Sequence, residues 1–138
     1  MNAKDLMSKK PEFLSPQGTL KQAANQMRSH DYGFIPVGEN DRLVGVVTDR
    51  DLAIRAVAEG RDPNKTTVGD IMTKGVHFCF ETDDLETVVH KMEEWKIRRL
   101  IVLDKNKRMT GIISLGDIAV KGKNPELCNE LTDAVAHH

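Results

Sequence analysis

Apolar residues recur with helical spacing in two stretches of the chain, TLKQAANQM and DLETVVHKM. In both stretches they occupy positions i, i+3, i+4 and i+7: Leu20, Ala23, Ala24 and Met27 in the first, and Leu85, Val88, Val89 and Met92 in the second. This spacing places one apolar stripe on a helix. Thr19 with Gln22, and Asp84, are N-cap signals at the two starts. The pattern therefore predicts two amphipathic helices.

Each predicted helix is followed by two short apolar runs. FIPV and LIVL fit buried strands, GENDR and DKNKR are rich in turn residues, and LVGVV and MTGII resume a strand. These runs predict a hairpin in each half of the chain. A second helix then begins after a hydroxyl residue and ends at Gly60 in the first half and near Gly122 in the second. The predicted order in each half is strand, helix, strand, strand, helix.

The two halves are an internal repeat. At an offset of 66, residues 31–53 match 97–119, with Phe34 against Leu100 and Ile35 against Ile101; upstream the offset is 65, which places one residue of slack after Met27. The repeat predicts units at 1–62 and 63–124, followed by a tail at 125–138. Neither half is expected to bury both faces of its small sheet alone. We therefore expect the halves to cover each other about a pseudo-twofold axis, with a pair of clefts between them.

A hydroxyl–x–x–aspartate corner stands at the same place in both halves, as Thr48 with Asp51 and as Ser114 with Asp117. One interpretation is a helix cap, because the hydroxyl can accept a first-turn N–H and the carboxylate suits the positive helix end. The other interpretation is a ligand site, because free N–H groups suit phosphate and a carboxylate can take ribose hydroxyls. The glycines that precede the corners, Gly45 and Gly111, allow another group to approach the backbone closely.

Composition and charge narrow the classes of protein. The chain has 138 residues, which favours one domain, and 20 Lys and Arg against 21 Asp and Glu, which gives no overall pull towards nucleic acid or an anionic membrane. No apolar run approaches the roughly 20 residues of a membrane helix, and MNAKDLMSKK lacks a signal-peptide core. Two cysteines do not make a disulfide framework. We expect a cytoplasmic protein with no nucleic-acid or membrane partner.

Several other residues could take part in binding or catalysis. Arg98 and Arg99 are either a solvated charge pair or a phosphate clamp, since guanidinium suits phosphate geometry. His77 and Cys79 supply only two ligands, which does not make a zinc site, and alternation along VHFCFE favours Cys79 as a buried, inert thiol over a redox partner of Cys128. No nucleophile triad, phosphate loop or metal motif is present. We therefore expect no catalysis and no metal.

Taken together, these motifs resemble a tandem pair of CBS domains (cystathionine-β-synthase domains), a Bateman module. The motifs that carry the resemblance are DLM and DIM, the two stripe helices, FIPV and IRRLIVL, and GVVTDRD and GIISLGD, and they span Ala3 to Lys123. The resemblance implies an α/β fold of two pseudosymmetric β-α-β-β-α repeats packed sheet to sheet. It also implies a homodimer and no catalytic activity.

The resemblance further implies a regulatory ligand in the clefts. The expected ligand is AMP, ADP, ATP, NAD or S-adenosylmethionine, with AMP, ATP or NAD favoured. The protein would then be a cellular energy or metabolite sensor that acts on an unidentified regulated protein. It would require no cofactor. Ribose would bind the two motif aspartates, and adenine would pack on the first hairpin strand and the segment before the stripe helix. The candidate ligand-binding residues are Leu14, Ser15, Phe34, Ile35, Pro36, Thr48, Arg50, Asp51, Cys79, Arg98, Arg99, Ile101, Ser114 and Asp117.

The two corners are not identical. Arg50 in the first is replaced by Gly116 in the second. The resemblance implies that Arg98 and Arg99 reach across to the first corner's phosphate, whereas their counterparts Tyr32 and Gly33 carry no charge. We therefore expect the first corner to bind anionic nucleotide better. The alternative function is a ligand-free adaptor for protein interaction or oligomerisation.

Overall fold

A computed structural model describes residues 1–9, 12–30 and 33–136. The chain forms two compact units: a central unit, residues 11–76, and a terminal unit, in which residues 1–10 join 77–138. The elements in chain order are α1 (Ala3–Leu6), β1 (Ser8–Lys9), α2 (Leu20–His30), β2 (Phe34–Glu39), β3 (Arg42–Thr48), α3 (Asp49–Asp51, continuing as a π-helical segment at Leu52–Val57), α4 (Val68–Ile71), β4 (Phe78–Phe80), α5 (Leu85–Trp95), β5 (Arg99–Leu103), β6 (Met109–Ser114), α6 (Leu115–Lys121) and α7 (Pro125–Ala136).

The central unit is built on the β2–β3 hairpin. The strands pair antiparallel, and each outer edge carries one isolated bridge, Leu14 beside Val37 and Thr73 beside Val46. The strand predicted before α2 is thus a single bridge in this unit. One face of the hairpin packs on α2, the helix after β3 and α4, in a core of Leu20, Ala23, Met27, Ile35, Val37, Val47, Ala56, Val68 and Ile71.

The terminal unit has a four-stranded sheet in the order β1-β6-β5-β4. β4 is parallel to β5, whereas β5 with β6 and β6 with β1 are antiparallel. The predicted order of strand, helix, strand, strand, helix is confirmed here by β4, α5, β5, β6 and α6. The mixed α/β class is therefore confirmed, and the first segment of the chain, α1 and β1, completes the sheet made by the second half.

The predicted helix ends are also confirmed. Thr19 and Gln22 exchange side-chain hydrogen bonds with each other's backbone N–H at the start of α2. Asp84 accepts from the Thr87 N–H at 2.8 Å, and hydrogen bonds from Thr87 lower the pKa of that carboxyl. The first post-hairpin helix is followed by Gly60 at φ +69°, a left-handed position that glycine adopts without steric cost.

The extra residue of the second repeat lies in its hairpin turn, not after Met27. Val37 is paired with Gly45 in one hairpin and Val102 with Gly111 in the other, so the offset is still 65 in the first strand of the hairpin. The first loop has two residues, Asn40 and Asp41, both at positive φ, whereas the second has three, 105–107. Two-residue loops of this kind fit the twist of a hairpin.

This register corrects the alignment of the two first hairpin strands by one residue. Ile35 corresponds to Leu100 and Pro36 to Ile101, so the predicted match of Ile35 with Ile101 is wrong. A one-residue slip moves every side chain to the opposite face of a strand. The shift also changes the counterparts of the two arginines, which are Gly33 for Arg98 and Phe34 for Arg99. Tyr32, the predicted counterpart of Arg98, lies outside the described residues.

The tail forms a helix that the sequence interpretation did not predict. α7 packs along α5, and its Leu131 and Val135 are buried in the terminal core with Val88 and Val89. At an offset of 65, Val89 corresponds to Ala24, which is exposed on α2. The wider apolar stripe of α5 is thus explained by a second layer of helix that covers it.

We expect Leu131→Ala to lower the free energy of unfolding by about 2–5 kcal/mol, since the side chain is fully buried and its loss leaves a cavity. Urea unfolding followed by circular dichroism measures this change. Glu130→Ala, one residue earlier and exposed, is the matched control and should change stability by less than about 0.5 kcal/mol. Equal stability of the two variants would show that α7 does not belong to the cooperative core.

Candidate functional site

The first corner is a reciprocal helix cap. The Thr48 hydroxyl accepts the Asp51 N–H at 3.1 Å, and Asp51 Oδ2 accepts the Thr48 N–H at 3.0 Å. The sequence folds this way because β3 ends at Thr48 in extended backbone, which leaves the first-turn N–H groups without helical partners. The capping interpretation of the motif is therefore confirmed. The cap holds the carboxylate of Asp51 in one position.

The second corner has the same geometry. The Ser114 hydroxyl accepts the Asp117 N–H at 3.0 Å, and Asp117 Oδ2 accepts the Ser114 N–H at 2.9 Å. The side chain of Asp51 is 10% exposed and that of Asp117 is 14% exposed. Both carboxylates are thus largely shielded from water. In each, Oδ2 accepts the N–H of its own capping residue.

A hydroxyl from a distant segment meets each motif aspartate. Thr73 Oγ1 lies 3.3 Å from both carboxylate oxygens of Asp51, and Ser8 Oγ donates to Asp117 Oδ1 at 3.0 Å. Ser8 and Thr73 correspond at an offset of 65, directly after Met7 and Met72. The sequence interpretation missed both residues, although the paired methionines and the shared hydroxyl class were visible signals.

A cation four residues after each aspartate approaches the same carboxylate. Arg55 Nε is 3.7 Å from Asp51 Oδ1, and Lys121 Nζ is 3.6 Å from Asp117 Oδ1. Both cations are about half exposed, so the ion pairs add little stability. They also donate to backbone carbonyls of the distant segments, Arg55 to Ile71 and Lys121 to Leu6, and thereby hold those segments beside the corners.

The two glycines before the corners allow the distant segments to approach the strands. A Cβ on Gly45 would lie 2.7 Å from Met72 Sδ and 2.9 Å from the Thr73 carbonyl oxygen. A Cβ on Gly111 would lie 2.6 Å from Met7 Sδ and 2.7 Å from the Ser8 carbonyl oxygen. The predicted reason for these glycines, close approach of another group to the backbone, is confirmed, and the group is the segment that carries the hydroxyl.

The strand beside each corner places a different residue opposite the capping hydroxyl. Phe34 is in register with Thr48, whereas Arg99 is in register with Ser114. The candidate residues before α2 lie on the same side of the hairpin as β2: the Leu14 N–H donates to the Pro36 carbonyl at 3.1 Å. Ser15 follows and is exposed, with its hydroxyl bonded to Gln17. In the central unit, these candidates are therefore close neighbours along β2.

Five of the candidate residues are buried: Asp51, described above, and Ile35, Pro36, Cys79 and Ile101. Ile35 and Cys79 are fully buried in the two cores, and Ile101 is 1% exposed. Burial, together with the nearby charge of Asp83, raises the pKa of the Cys79 thiol to about 12. The expectation of a buried, inert thiol is confirmed; Cys79 and Cys128 are both free. A ligand at Ile35, Pro36, Cys79 or Ile101 would meet backbone rather than side chain.

The candidate arginines are all exposed. Arg50 lies in the first turn after Thr48, Arg98 lies just before β5, and Arg99 is the first residue of β5. The Arg98 carbonyl accepts the Leu115 N–H, so Arg98 and Arg99 both adjoin the second corner in the terminal unit. The prediction that they serve the first corner concerns both units together and stays a prediction.

The sequence of this chain is similar to a protein-family model and to known proteins. The CBS domain family model matches residues 3–57 and 68–122. CBS domain-containing protein YhcV of Bacillus subtilis is 35% identical over 136 residues, which is 99% of this chain and 96% of that protein. Among solved structures, this chain is similar to the crystal structure of Hypoxic Response Protein I with two coordinated zinc ions. The two sequences are 35% identical, and the match covers 86% of this chain and 97% of that chain with a TM-score of 0.78.

A third relative has been solved with ligands. The crystal structure of the CBS domain pair of protein MJ0100 in complex with 5′-methylthioadenosine and S-adenosyl-L-methionine is 30% identical to this chain. It covers 86% of this chain and 97% of that one, with a TM-score of 0.72. Both compounds are adenosine derivatives, so this chain is similar to a protein that binds the ligand class implied by the resemblance.

Two kinds of feature are absent from the part of the chain that the structure describes. Within residues 1–9, 12–30 and 33–136, no three side chains of the types His, Cys, Asp and Glu gather as they would around a metal ion. Within the same ranges, no helix has the length and apolar character to span a bilayer.

We expect Gly45→Ala to lower the free energy of unfolding by about 1–3 kcal/mol, because the new Cβ overlaps Met72 and Thr73 and forces the segment away from β3. Thermal unfolding of the purified variant measures the loss. Gly116→Ala is the control: its Cβ would meet nothing closer than 3.5 Å, and alanine favours a helix by roughly 0.5–1 kcal/mol. Stability of Gly45→Ala equal to that of the control would contradict the close approach.

Proposed function

The chain belongs to the CBS domain family, and we propose that it is a regulatory module that binds an adenosine nucleotide at its two corners. The observation that carries the proposal is the duplicated carboxylate. Each motif aspartate is fixed by its own cap, is withdrawn from water, and lies at the end of a strand where a helix begins. A second support is the MJ0100 domain pair, which holds two adenosine derivatives.

The module would act by binding alone. The sequence carries no nucleophile triad, phosphate loop or metal motif. Burial raises the pKa of the Cys79 thiol, which disfavours the reactive thiolate. A ligand that binds one conformation better than another shifts the population towards it, and this is sufficient for regulation. The proposed role is a metabolite or energy sensor that acts on a protein still to be identified.

Within the adenosine class, AMP, ATP and NAD are the proposed ligands. Asp51 and Asp117 would take the ribose, and Thr48 and Ser114 would lie near the ribose or phosphate. Adenine would pack along β2 and β5. The first of these surfaces would consist of Leu14, Ser15, Phe34 and the backbone of Ile35 and Pro36. The second would consist of the backbone of Cys79 and Ile101.

Positive charge is distributed unequally around the two corners. Arg50 follows the first capping hydroxyl, whereas Gly116 stands at the corresponding place in the second. Arg99 is in register with the second hydroxyl, where the first has Phe34. A phosphate bound at either corner therefore has a guanidinium within its own unit, and variants of Arg99 and the two aspartates can determine which corner is the tighter.

A second candidate function is a ligand-free adaptor. Ile54 and Val120, which correspond at an offset of 66, are 48% and 77% exposed on the helices that follow the two corners, and Val57 is 77% exposed beside Ile54. Exposed apolar side chains at equivalent places favour an interaction surface. The same observation supports the proposed homodimer, and association does not by itself exclude nucleotide binding.

The nucleotide proposal predicts binding of AMP with an affinity that depends on the motif aspartates. At a hundredfold excess over its dissociation constant, AMP should stabilise the native chain by about 2.7 kcal/mol. We expect Asp51→Ala to abolish the tighter of two binding events in calorimetry and Asp117→Ala to spare it. Asp133→Ala, an exposed carboxylate on α7, is the control. Unchanged AMP binding in both motif variants would refute the proposal and favour the adaptor.

Arg99→Ala extends the same experiment to the phosphate. The variant should weaken AMP about tenfold and leave adenosine nearly unchanged, because a hydrogen bond to a charged group contributes roughly 1.5–3 kcal/mol. If the effect persists in Asp117→Ala and vanishes in Asp51→Ala, Arg99 serves the first corner. The reverse pattern would assign Arg99 to the second corner.

The dimer proposal predicts that sedimentation at micromolar concentration gives twice the chain mass of 15.4 kDa. Ile54→Lys should shift the sample towards monomer, because a charge on the apolar surface opposes burial. Ala58→Lys, on an exposed residue just after the same helix, is the control. A monomer at every concentration would contradict the proposed dimer.

A further inference from the structure

The hydroxyls of Thr73 and Ser8 have only one proton each, and the neighbouring carboxylate determines where that proton points. Thr73 Oγ1 is 3.3 Å from both oxygens of Asp51, and Ser8 Oγ is 3.0 Å from Asp117 Oδ1. An ionised carboxylate accepts hydrogen bonds and cannot donate. The hydroxyl must therefore be the donor in each pair, and its oxygen is left with lone pairs alone.

Each pair thus presents two adjacent acceptors. Oδ1 of each carboxylate still has acceptor capacity, because Oδ2 takes the cap N–H of Thr48 or Ser114. The cation beside Oδ1 lies at 3.7 Å in the first corner and 3.6 Å in the second. Beside Oδ1 also lies a hydroxyl oxygen that can only accept. Two neighbouring acceptors suit a group with two neighbouring donors, and the two hydroxyls of a ribose, on adjacent carbons, are such a group.

The hydroxyls are held in place by backbone pairing. Thr73 and Val46 exchange N–H to carbonyl hydrogen bonds at 2.8 and 3.0 Å, and Ser8 is in register with Ile112 in β1 and β6. The cations Arg55 and Lys121 tie the same segments to the carboxylates. The acceptor pairs are therefore organised before any ligand arrives, which lowers the entropic cost of binding.

We propose that Thr73 and Ser8 are specificity-determining residues, which complete a two-acceptor site for a ribose diol with Asp51 and Asp117 respectively. The inference rests on the proposed function and extends it: the ligand must carry both the 2′- and the 3′-hydroxyl. A site built to hydrogen-bond a hydroxyl rejects the analogue that lacks it, because its own polar groups are then left unpaired. Deoxyribonucleotides should accordingly bind more weakly.

The test measures AMP, 2′-deoxy-AMP and 3′-deoxy-AMP by calorimetry in the full chain carrying Asp117→Ala, so that only the Asp51 corner is read. We expect AMP to bind about tenfold tighter than either analogue. Adding Thr73→Val should weaken AMP and remove the discrimination against one deoxy analogue, while discrimination against the other persists through Asp51. One neutral hydrogen bond corresponds to a roughly 2–10-fold change in affinity.

Three controls separate recognition from folding. Thr73→Ser keeps the hydroxyl and should restore the discrimination; Thr82→Val, on an exposed threonine, should leave all three affinities unchanged. The mirror experiment places Ser8→Ala in an Asp51→Ala chain. If Thr73→Val weakens all three ligands equally, or none, the hydroxyl has only a structural role and the inference is overturned while the proposed function stands. If unsubstituted protein binds no AMP, both fail.

Discussion

The structure depends on one arrangement of hydrogen bonds, made twice: a motif aspartate accepts the N–H of its own cap with one oxygen and meets a hydroxyl from a distant part of the chain with its carboxylate. The cap determines where the helix after the hairpin begins. The hydroxyl belongs to a distant segment that pairs with β3 or β6, where a glycine leaves room for it. Removing the carboxylate would thus affect the start of a helix, the edge of a sheet and the position of a whole segment.

Local features of this arrangement could be predicted from the sequence. Three kinds of feature follow from residues within a few positions of one another. They are the apolar stripes of α2 and α5, the left-handed Gly60, and the helix caps at Thr19, Asp84, Thr48 and Ser114. Such features depend on spacing and hydrogen-bonding capacity, which are legible in a single chain. The need for Gly45 and Gly111 was predictable for the same reason, although the group that approaches them was not.

Features that depend on register or on distant contacts could not be derived in this way. An extra residue can be placed anywhere between two matching stretches, and the chance identity of Ile35 and Ile101 placed it too early; only strand pairing located it in the loop 105–107. Thr73 is 22 residues from Asp51, and Ser8 is 109 residues from Asp117. The helical tail was missed because its apolar residues gain a partner only when α5 lies beside them.

The joining of residues 1–10 to the second half of the chain has a consequence for synthesis on the ribosome. All residues of the central unit, 11–76, have been made before the rest of the terminal unit is translated. The terminal unit must wait for β6 and α7, some 60 residues later, which is roughly 3–12 s at ordinary elongation rates. During that interval α1 and β1 have no sheet to join. Residues 1–10 therefore precede the central unit in the chain, yet they find their place only after the later strands and helices of the terminal unit have been made.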